Sequence, residues 1–423
     1  MPQHEIYHFR SDSAALTFSG GELKVREAGN AAGYGVRVLE SGKLGFAYCQ
    51  EDKEVANALE RARLSSRFSV KSSFSFTPKT KQSLAIPFTR PASPQPIFDQ
   101  RLAGLDYGEL RSWLEEARES AESGGGRSRV ILSCENSHVA MENTAGFEGS
   151  YDKTGISIYA ECMHGEGFGF AYFSSNTSPP KSAPGETGLK AANMAKAMWD
   201  AGKPDNGTYA VVLEIEALDS ILEILMPSFS GDWKRRNVTR LKPGVRMFSE
   251  KFTLCDDGLA PGTEARPFDD EGTPSASRPL VDRGMVASFL FDRETAALAK
   301  ENQERVSGAC SRSAYDSQPS IGNSNLVIPG GDRKDFSDIG SHLEIHSMHG
   351  SHTANATTGD FGLEVTVAFL VGKDGSRKPV RGFLLNGNVF DLFASVEAVE
   401  KETRALGGLI APRIAFRGLK VVG

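Results

Sequence analysis

The sequence predicts an α+β protein: sheet-plus-helix layers on the amino-terminal side, then a strand-rich domain with short helices on the carboxy-terminal side. Three observations carry that expectation. Alternating apolar and polar runs fill Ala14 to Phe68 and return between Arg129 and Ser175, and each set leads into an Ala-rich amphipathic stretch. Beyond Tyr209 the apolar runs are short and broken by Gly, Asn and Pro. At 423 residues the chain is too long for one ordinary core, so it divides into several units. The expected division is 1–76, a Pro-rich linker over 77–98, a second α+β unit over 99–205, and the strand-rich domain over 206–423.

The elements follow in order. ALTF, ELKVRE, YGVRVLE and KLGFAYC read as a meander, with turns at Ser19-Gly20-Gly21 and Glu40-Ser41-Gly42-Lys43. KEVANALERARLSSRF then places Val55, Leu59 and Ala62 on one helical face. Pro78, Pro87, Pro91, Pro94 and Pro96 deny regular structure to the linker. Asp106 is the expected N-cap of a helix with Leu110, Trp113, Leu114 and Ala117 on its apolar side, ended by Gly124-Gly125-Gly126. Strands resume at RVILSCE, HVAMEN, GISIYAECM and EGFGFAYFSS, followed by a helix from Glu186 to Asp200. The tetrapeptide GFAY closes both sets of strands, at Gly45 to Tyr48 and Gly169 to Tyr172, and each copy precedes an Ala-rich helix. That shared order suggests an internal duplication within the first half. In the second half, helices are expected at Ala217–Met226, Arg293–Gln303 and Val389–Leu406. Strands are expected at KFTLCDD, LEVTVAFLV, RGFLLNG and RIAFRGLKVV.

Composition excludes several classes. A 39% hydrophobic share with 24% charged residues is that of a globular chain. The net charge of −6 argues against a general nucleic-acid surface, and Lys234-Arg235-Arg236 is the one compact basic cluster. No run approaches the roughly 18 apolar residues a membrane span needs, and MPQHEIYHFRSDS is too polar for a signal peptide. Five cysteines, odd in number and never CxxC, fit reduced thiols in a cytoplasmic protein better than a disulfide frame or zinc ribbon.

Chemistry-bearing residues cluster in one stretch, SHLEIHSMHGSHTANATTGDF, which holds His342, His346, His349 and His352. Imidazole is the commonest zinc ligand, yet LEIHSMHG reads as a strand entering a Gly turn, where neighbours face opposite ways. His342 and His346 would share a face and His349 would oppose them. Gly165-x-Gly167-x-Gly169 lacks the strand-turn-helix setting of a dinucleotide fingerprint, and no GxSxG elbow or Cys–His protease context is present.

Several segments, in order along the chain, resemble the TldD/PmbA family of peptidases. YGVRVLESGKLGFAY resembles its hairpin of an Arg-bearing strand and a Gly-Phe-Ala strand, and MENTAGF its Asn-Thr-x-Gly turn. PFDDEGTPSASRPLVDRGMVASFLFDRETA, NSNLVIPGG, TTGDFGLE and PVRGFLLNGNVFDLF are similar to its carboxy-terminal landmarks. The stretch YAVVLEIEALDSILEILMPSFSGDWKRRNVT resembles the strand, helix and Gly-Asp turn that carry HExxxH in the metal-bearing members. Matching Gly231-Asp232 puts the two motif His on Leu222 and Pro227 and the motif Glu on Glu223. The late Cys that completes the family's metal site is likewise missing from LGGLIAPRIAFRGLKVVG.

The resemblance therefore implies a metal-free, TldE-type subunit, with no cofactor in this chain and zinc in a TldD-like HExxxH partner. The substrate would be a small or unfolded peptide, and His346, His349, His352, Asn355, Thr358 and Asp360 would contact either that peptide or the subunit interface. Neither nucleic acid nor membrane is expected as a partner, and whether the chain pairs with itself as a homodimer when alone stays open. Two other readings stay open: an autonomous homodimeric hydrolase using the His342–His352 cluster, or a non-enzymatic modulator, after the family's older label as a modulator of gyrase.

Overall fold

The computed structural model describes residues 2–79, 96–300 and 306–423, and within it strand outweighs helix, 43% to 21%. Most of the expected Pro-rich linker, and the end of the helix expected at Arg293–Gln303, lie outside these residues. The first half contains β1 (Gln3–Ser19), β2 (Glu22–Glu40), β3 (Lys43–Cys49), α1 (Val55–Ser66), α2 (Gln100–Ala103) and α3 (Tyr107–Glu122). It continues with β4 (Arg127–Asn143), β5 (Glu148–His164), β6 (Gly167–Ser175) and α4 (Ala183–Ala197). The meander expected to start at Ala14 thus starts at Gln3, pairs of expected short strands fuse into β2 and β4, and β5 extends the expected GISIYAECM strand back to Glu148.

These strands form one antiparallel sheet in the order β3-β2-β1-β4-β5-β6. The two expected sheet-plus-helix layers are therefore joined edge to edge through β1 and β4, not stacked as separate sheets. The repeated tetrapeptides lie in the two outermost strands. Their glycines do the same work: a Cβ on Gly45 would stand 1.9 Å from the Ala62 carbonyl of α1, and one on Gly169 2.3 Å from the Ala191 carbonyl of α4. Only glycine lets each helix lie this close to its strand. Helix α3, capped by Asp106 accepting from the Glu109 N–H at 2.9 Å, packs Leu110, Leu114 and Ala117 against Ala191, Ala192 and Ala195 of α4.

The second half contains β7 (Gly207–Leu213), α5 (Ile215–Leu225), α6 (Gly231–Arg235), β8 (Leu254–Asp257), β9 (Ser277–Asp282), β10 (Met285–Val286) and α7 (Arg293–Leu298). The short strands β11 (Cys310–Ser311), β12 (Ser320–Ile321) and β13 (Leu326–Val327) follow, then β14 (His342–His349), β15 (Asp360–Val371), β16 (Arg377–Val380) and β17 (Phe383–Asn388). The chain ends with α8 (Val389–Ala394), β18 (Val396–Leu406) and β19 (Leu409–Val422). Successive pairings β7–β14–β15–β17–β19 return to β7, so these strands close on themselves and leave fewer free edges. Their apolar faces and nearly all of α5 share one core, in which Leu213, Leu218, Ile221, Leu343 and Ile345 are all inaccessible.

One expected helix is corrected. Val389–Leu406 is helical only to Ala394, and after Ser395 the chain turns into β18 alongside β19. VEAVEKETRAL is helix-compatible by propensity, but Val396, Ala398 and Val399 gain burial and a ladder partner in the sheet.

A buried ionic network ties the halves together. Arg37, 1% exposed on β2, gives Nε and Nη2 to the two oxygens of Glu5 at 2.9 Å each, and Nη1 to Glu271 at 2.6 Å. Glu5 also receives Arg312 Nη2 at 3.0 Å, and the other Glu271 oxygen accepts the Arg293 N–H at 2.7 Å. The Phe74 and Phe76 rings flank the Arg37 guanidinium at 5.4 and 5.7 Å. Burial alone would lower the Arg37 pKa, but Glu5 and Glu271 outweigh it and the net shift is upward. Beside them Asp269, wholly buried, is pushed up by burial and then by the Glu271 charge.

Two outcomes follow from this burial. Arg37→Met strands Glu5 and Glu271 without their shared cation, and urea unfolding is expected to lose about 3–5 kcal/mol; a loss under about 1 kcal/mol would mean that water replaces the guanidinium. Asp256 lies in β8, where burial raises its carboxyl from 3.8 to about 6 against the pull of Ser324 N–H and Oγ. A raised folded-state pKa gives stability that is complete below 3.8 and is lost as pH rises through about 6. Asp256→Asn should therefore flatten the fall in Tm between about pH 4 and 7 relative to the parent chain, and an unchanged slope would contradict the assignment.

Candidate functional site

Helix α5 carries the positions aligned with the peptidase motif, and its local sequence decides their fate. IEALDSILEIL is apolar on most of its circumference, leaving one polar stripe of Glu216, Asp219, Ser220 and Glu223. Leu222 is 1% exposed and belongs to the main core. Pro227 lies in the single tight turn Met226–Phe229 that ends the helix. Neither offers a donor atom, and the only metal-ligand type at the aligned positions is Glu223. The donor set there does not fit a zinc ion, which takes thiolate, imidazole or carboxylate, usually four ligands in all.

A cavity of about 530 Å³ opens at this end of the helix, walled by Leu222, Met226, Pro227 and Trp233, with Asp219 and Glu223 on its rim. Glu223 accepts from Ser351 Oγ at 2.6 Å, which joins the helix to the turn after β14. Asp219, one turn earlier, has its carboxyl raised by burial in the cleft and by the Glu223 charge. The basic cluster beyond is locally spent: Arg235 and Arg236 both bond Asp232, and Lys234 lies over Phe289 and Phe291.

The four clustered histidines do not share a centre. His342 is buried with Nδ1 2.9 Å from the Gly340 carbonyl, and His352 is exposed in the Ser351–Thr353 turn. His342 and His346 stand about 13 Å apart along a strand. The expected opposition of His349 is overturned by a bulge: β14 slips register against β15 around His346 and Ser347. Leu343, Ile345 and Met348 consequently all reach the core, and His349 returns to the outer face with His342 and His346. His349 lines a separate cavity of about 510 Å³ with Phe168, Lys203 and Arg381.

His346 does meet other donors. Its Nε2 is 2.8 Å from Glu344 Oε1, and with Glu214, the residue joining β7 to α5, they form the one three-residue group of metal-ligand type found among the described residues. Burial would raise the Glu344 carboxyl, but His346 and Arg377 hold it down at about 2. Asn355, Thr358 and Asp360 make a different feature, a self-bonded turn. Asn355 Oδ1 accepts the Thr357 and Thr358 N–H groups, Thr358 Oγ1 donates to Asp360, and Asn388 Nδ2 donates to both Asp360 Oδ1 and the Thr358 carbonyl. Bonds from Asn388 and Thr358 lower the Asp360 pKa. These side chains first shape the turn and are exposed at its surface.

Two features escaped sequence reasoning. His4-Glu5-Ile6-Tyr7-His8 spells the HExxH of helical zinc peptidases, but it lies in β1, where the two His are about 13 Å apart. Its Glu5 is committed to Arg37. The second is that commitment itself. Arg37 and Asp269-Asp270-Glu271 sit in two of the segments singled out by resemblance, and nothing local in either reveals that they bond each other.

Residues 206–423 match the PmbA/TldA metallopeptidase C-terminal domain, and residues 4–66 match PmbA/TldA metallopeptidase domain 1. An uncharacterized protein of Methanocaldococcus jannaschii is 26% identical over 98% of this chain and 95% of its own length. A protein of Methanothermobacter thermautotrophicus named as a metalloprotease is 24% identical over 93% of this chain and 87% of its own. The crystal structure of TldE from Thermococcus kodakarensis superposes with a TM-score of 0.87 at 20% identity, covering 100% of this chain and 97% of that one, which establishes the shared fold.

Because Glu223 sits on the exposed stripe of α5 with one hydroxyl partner, Glu223→Gln is expected to move Tm by no more than about 2 °C. A drop several times larger in a thermal melt would show that this carboxylate is structural.

Proposed function

The chain belongs to the PmbA/TldD metallopeptidase family, and we propose that within it this protein is the TldE-type subunit, which completes a peptidase whose zinc is held by an HExxxH-bearing partner. One observation carries the reading: at the motif positions, Leu222 is part of the hydrophobic core and Pro227 closes the helix, so α5 has become a packing element. The absence of Cys from β19 points the same way. The role left to this chain is to wall the chamber and hold an extended peptide backbone, with strand addition as the general means. The cavity at Leu222 and Glu223 and the neighbouring turn from Ser351 to Asp360 support that role, since Glu223 and Ser351 bond across them. Small or unfolded peptides are the substrate class, because strand addition needs a free backbone. No helix among the described residues is long and apolar enough to cross a membrane.

The autonomous reading has less support, because the four histidines point to separate surroundings. Cleavage of an unstructured peptide should be followed with this chain alone, with the HExxxH subunit alone, and with the two mixed. Turnover is expected only in the mixture. Full cleavage by the HExxxH subunit alone would overturn the proposal, and cleavage by this chain alone would restore the autonomous reading.

A further inference from the structure

Strand β7 ends, and α5 begins, at a point where donors converge from two elements. Glu214 is fixed there by its main-chain N–H, which donates to the Ile345 carbonyl of β14 at 2.9 Å. Glu344 and His346 leave β14 on one face, two residues apart. One ligand atom from each of Glu214, Glu344 and His346 lies within 4.8 Å of the others, and all three side chains are half-buried. Glu344 lies in the paired stretch of β14 and β7, Glu214 directly follows β7, and His346 sits at the β14 bulge. His346 opens onto a cavity of about 710 Å³ between α4 and the second-half sheet, which gives a small ion a way in.

Two guanidiniums border the group, and they differ. Arg413 is gripped by both oxygens of Glu400, at 3.0 and 2.5 Å, and touches Glu214 only at 3.4 Å. Arg377 bonds Glu344 from the mouth of the cavity, lies over the Phe369 ring, and keeps 45% of its side chain in solvent. It also lies 3.2 Å from His346 Nε2, and it is the more exposed of the two cations.

We propose that Glu214, Glu344 and His346 bind one divalent first-row transition-metal ion, which enters from the cavity and displaces Arg377 from Glu344. Two carboxylates and an imidazole suit Zn2+, Co2+ or Mn2+ better than Ca2+ or Mg2+, which prefer oxygen alone. Bonds of about 2.0–2.2 Å need only a small inward rotation of the three side chains. The ion ties the amino end of α5 to β14, about 12 Å along the helix from Leu222. It is therefore distinct from the site the family's motif would build, and it needs no partner subunit.

Titrating the full-length chain, alone, with Co2+ tests this, read by visible absorption and equilibrium dialysis. One Co2+ per chain is expected, displaced by Zn2+. Affinity should fall about tenfold or more in H346A and in E344Q, hold or tighten in R377A, and stay unchanged in E223Q. Thermal melts check that each variant folds, and E214Q replaces any that does not. Failure of both the parent chain and R377A to bind stoichiometrically would overturn the site. So would binding that survives in folded H346A and E344Q. Neither result bears on peptide cleavage with the HExxxH subunit.

Discussion

A guanidinium with almost no access to water holds the molecule together. Arg37 sits on the second strand of the amino-terminal sheet and must find anionic partners, because an uncompensated buried charge costs several kcal/mol. One partner, Glu5, is on the adjacent strand, and the other, Glu271, comes from the far half of the chain. The turn that presents Glu271 is itself fixed by Asp269, which accepts the N–H groups of Glu271, Thr273 and Cys310. Phe268 from the same turn packs edge-on against Phe147 of the β4–β5 turn and Tyr151 of β5. Replacing such a network by apolar residues can be neutral for stability. Its effect here is on arrangement: it bonds strands of the amino-terminal sheet to the Asp269–Glu271 turn and Arg312 of the second half.

Within that frame, α5, the helix that the resemblance matches to the metal-bearing one, is held in place by packing. Leu222 gains roughly 1.5–3 kcal/mol by full burial, and Pro227 lies where the helix ends and the chain turns. The helix therefore needs no ion to stay in place. The polar stripe that remains, Asp219 and Glu223 over an apolar cleft, faces outward with the turn that follows β14. One side of this helix end is thus core, and the other is an accessible wall.

Much of this was legible in the chain. Alternation located the long strands of the first sheet and β7, β8, β14, β15, β17 and β19 of the second, but not the short β9 to β13, β16, or β18. Asp106 announced its helix, and the GFAY pair marked two glycines whose shared purpose, close approach of a helix, appears only in three dimensions. What stayed hidden depended on distant partners. VEAVEKETRAL reads as helix until β19 lies beside it. The facing of His349 could not be read because a bulge adds one residue to the count at His346. The meeting of Arg37 with Glu271, and of Glu214 with Glu344 and His346, joins residues far apart in sequence, for which local pattern carries no signal.

The central claim is that this chain is built to pair with a subunit that kept the metal motif. Native mass spectrometry of the chain mixed with an HExxxH-bearing subunit from the same organism tests it most directly. A one-to-one complex that forms at the expense of each protein's self-association is the expected result. If each protein stays only with itself across the accessible concentration range, the account of this chain as a partner subunit is wrong.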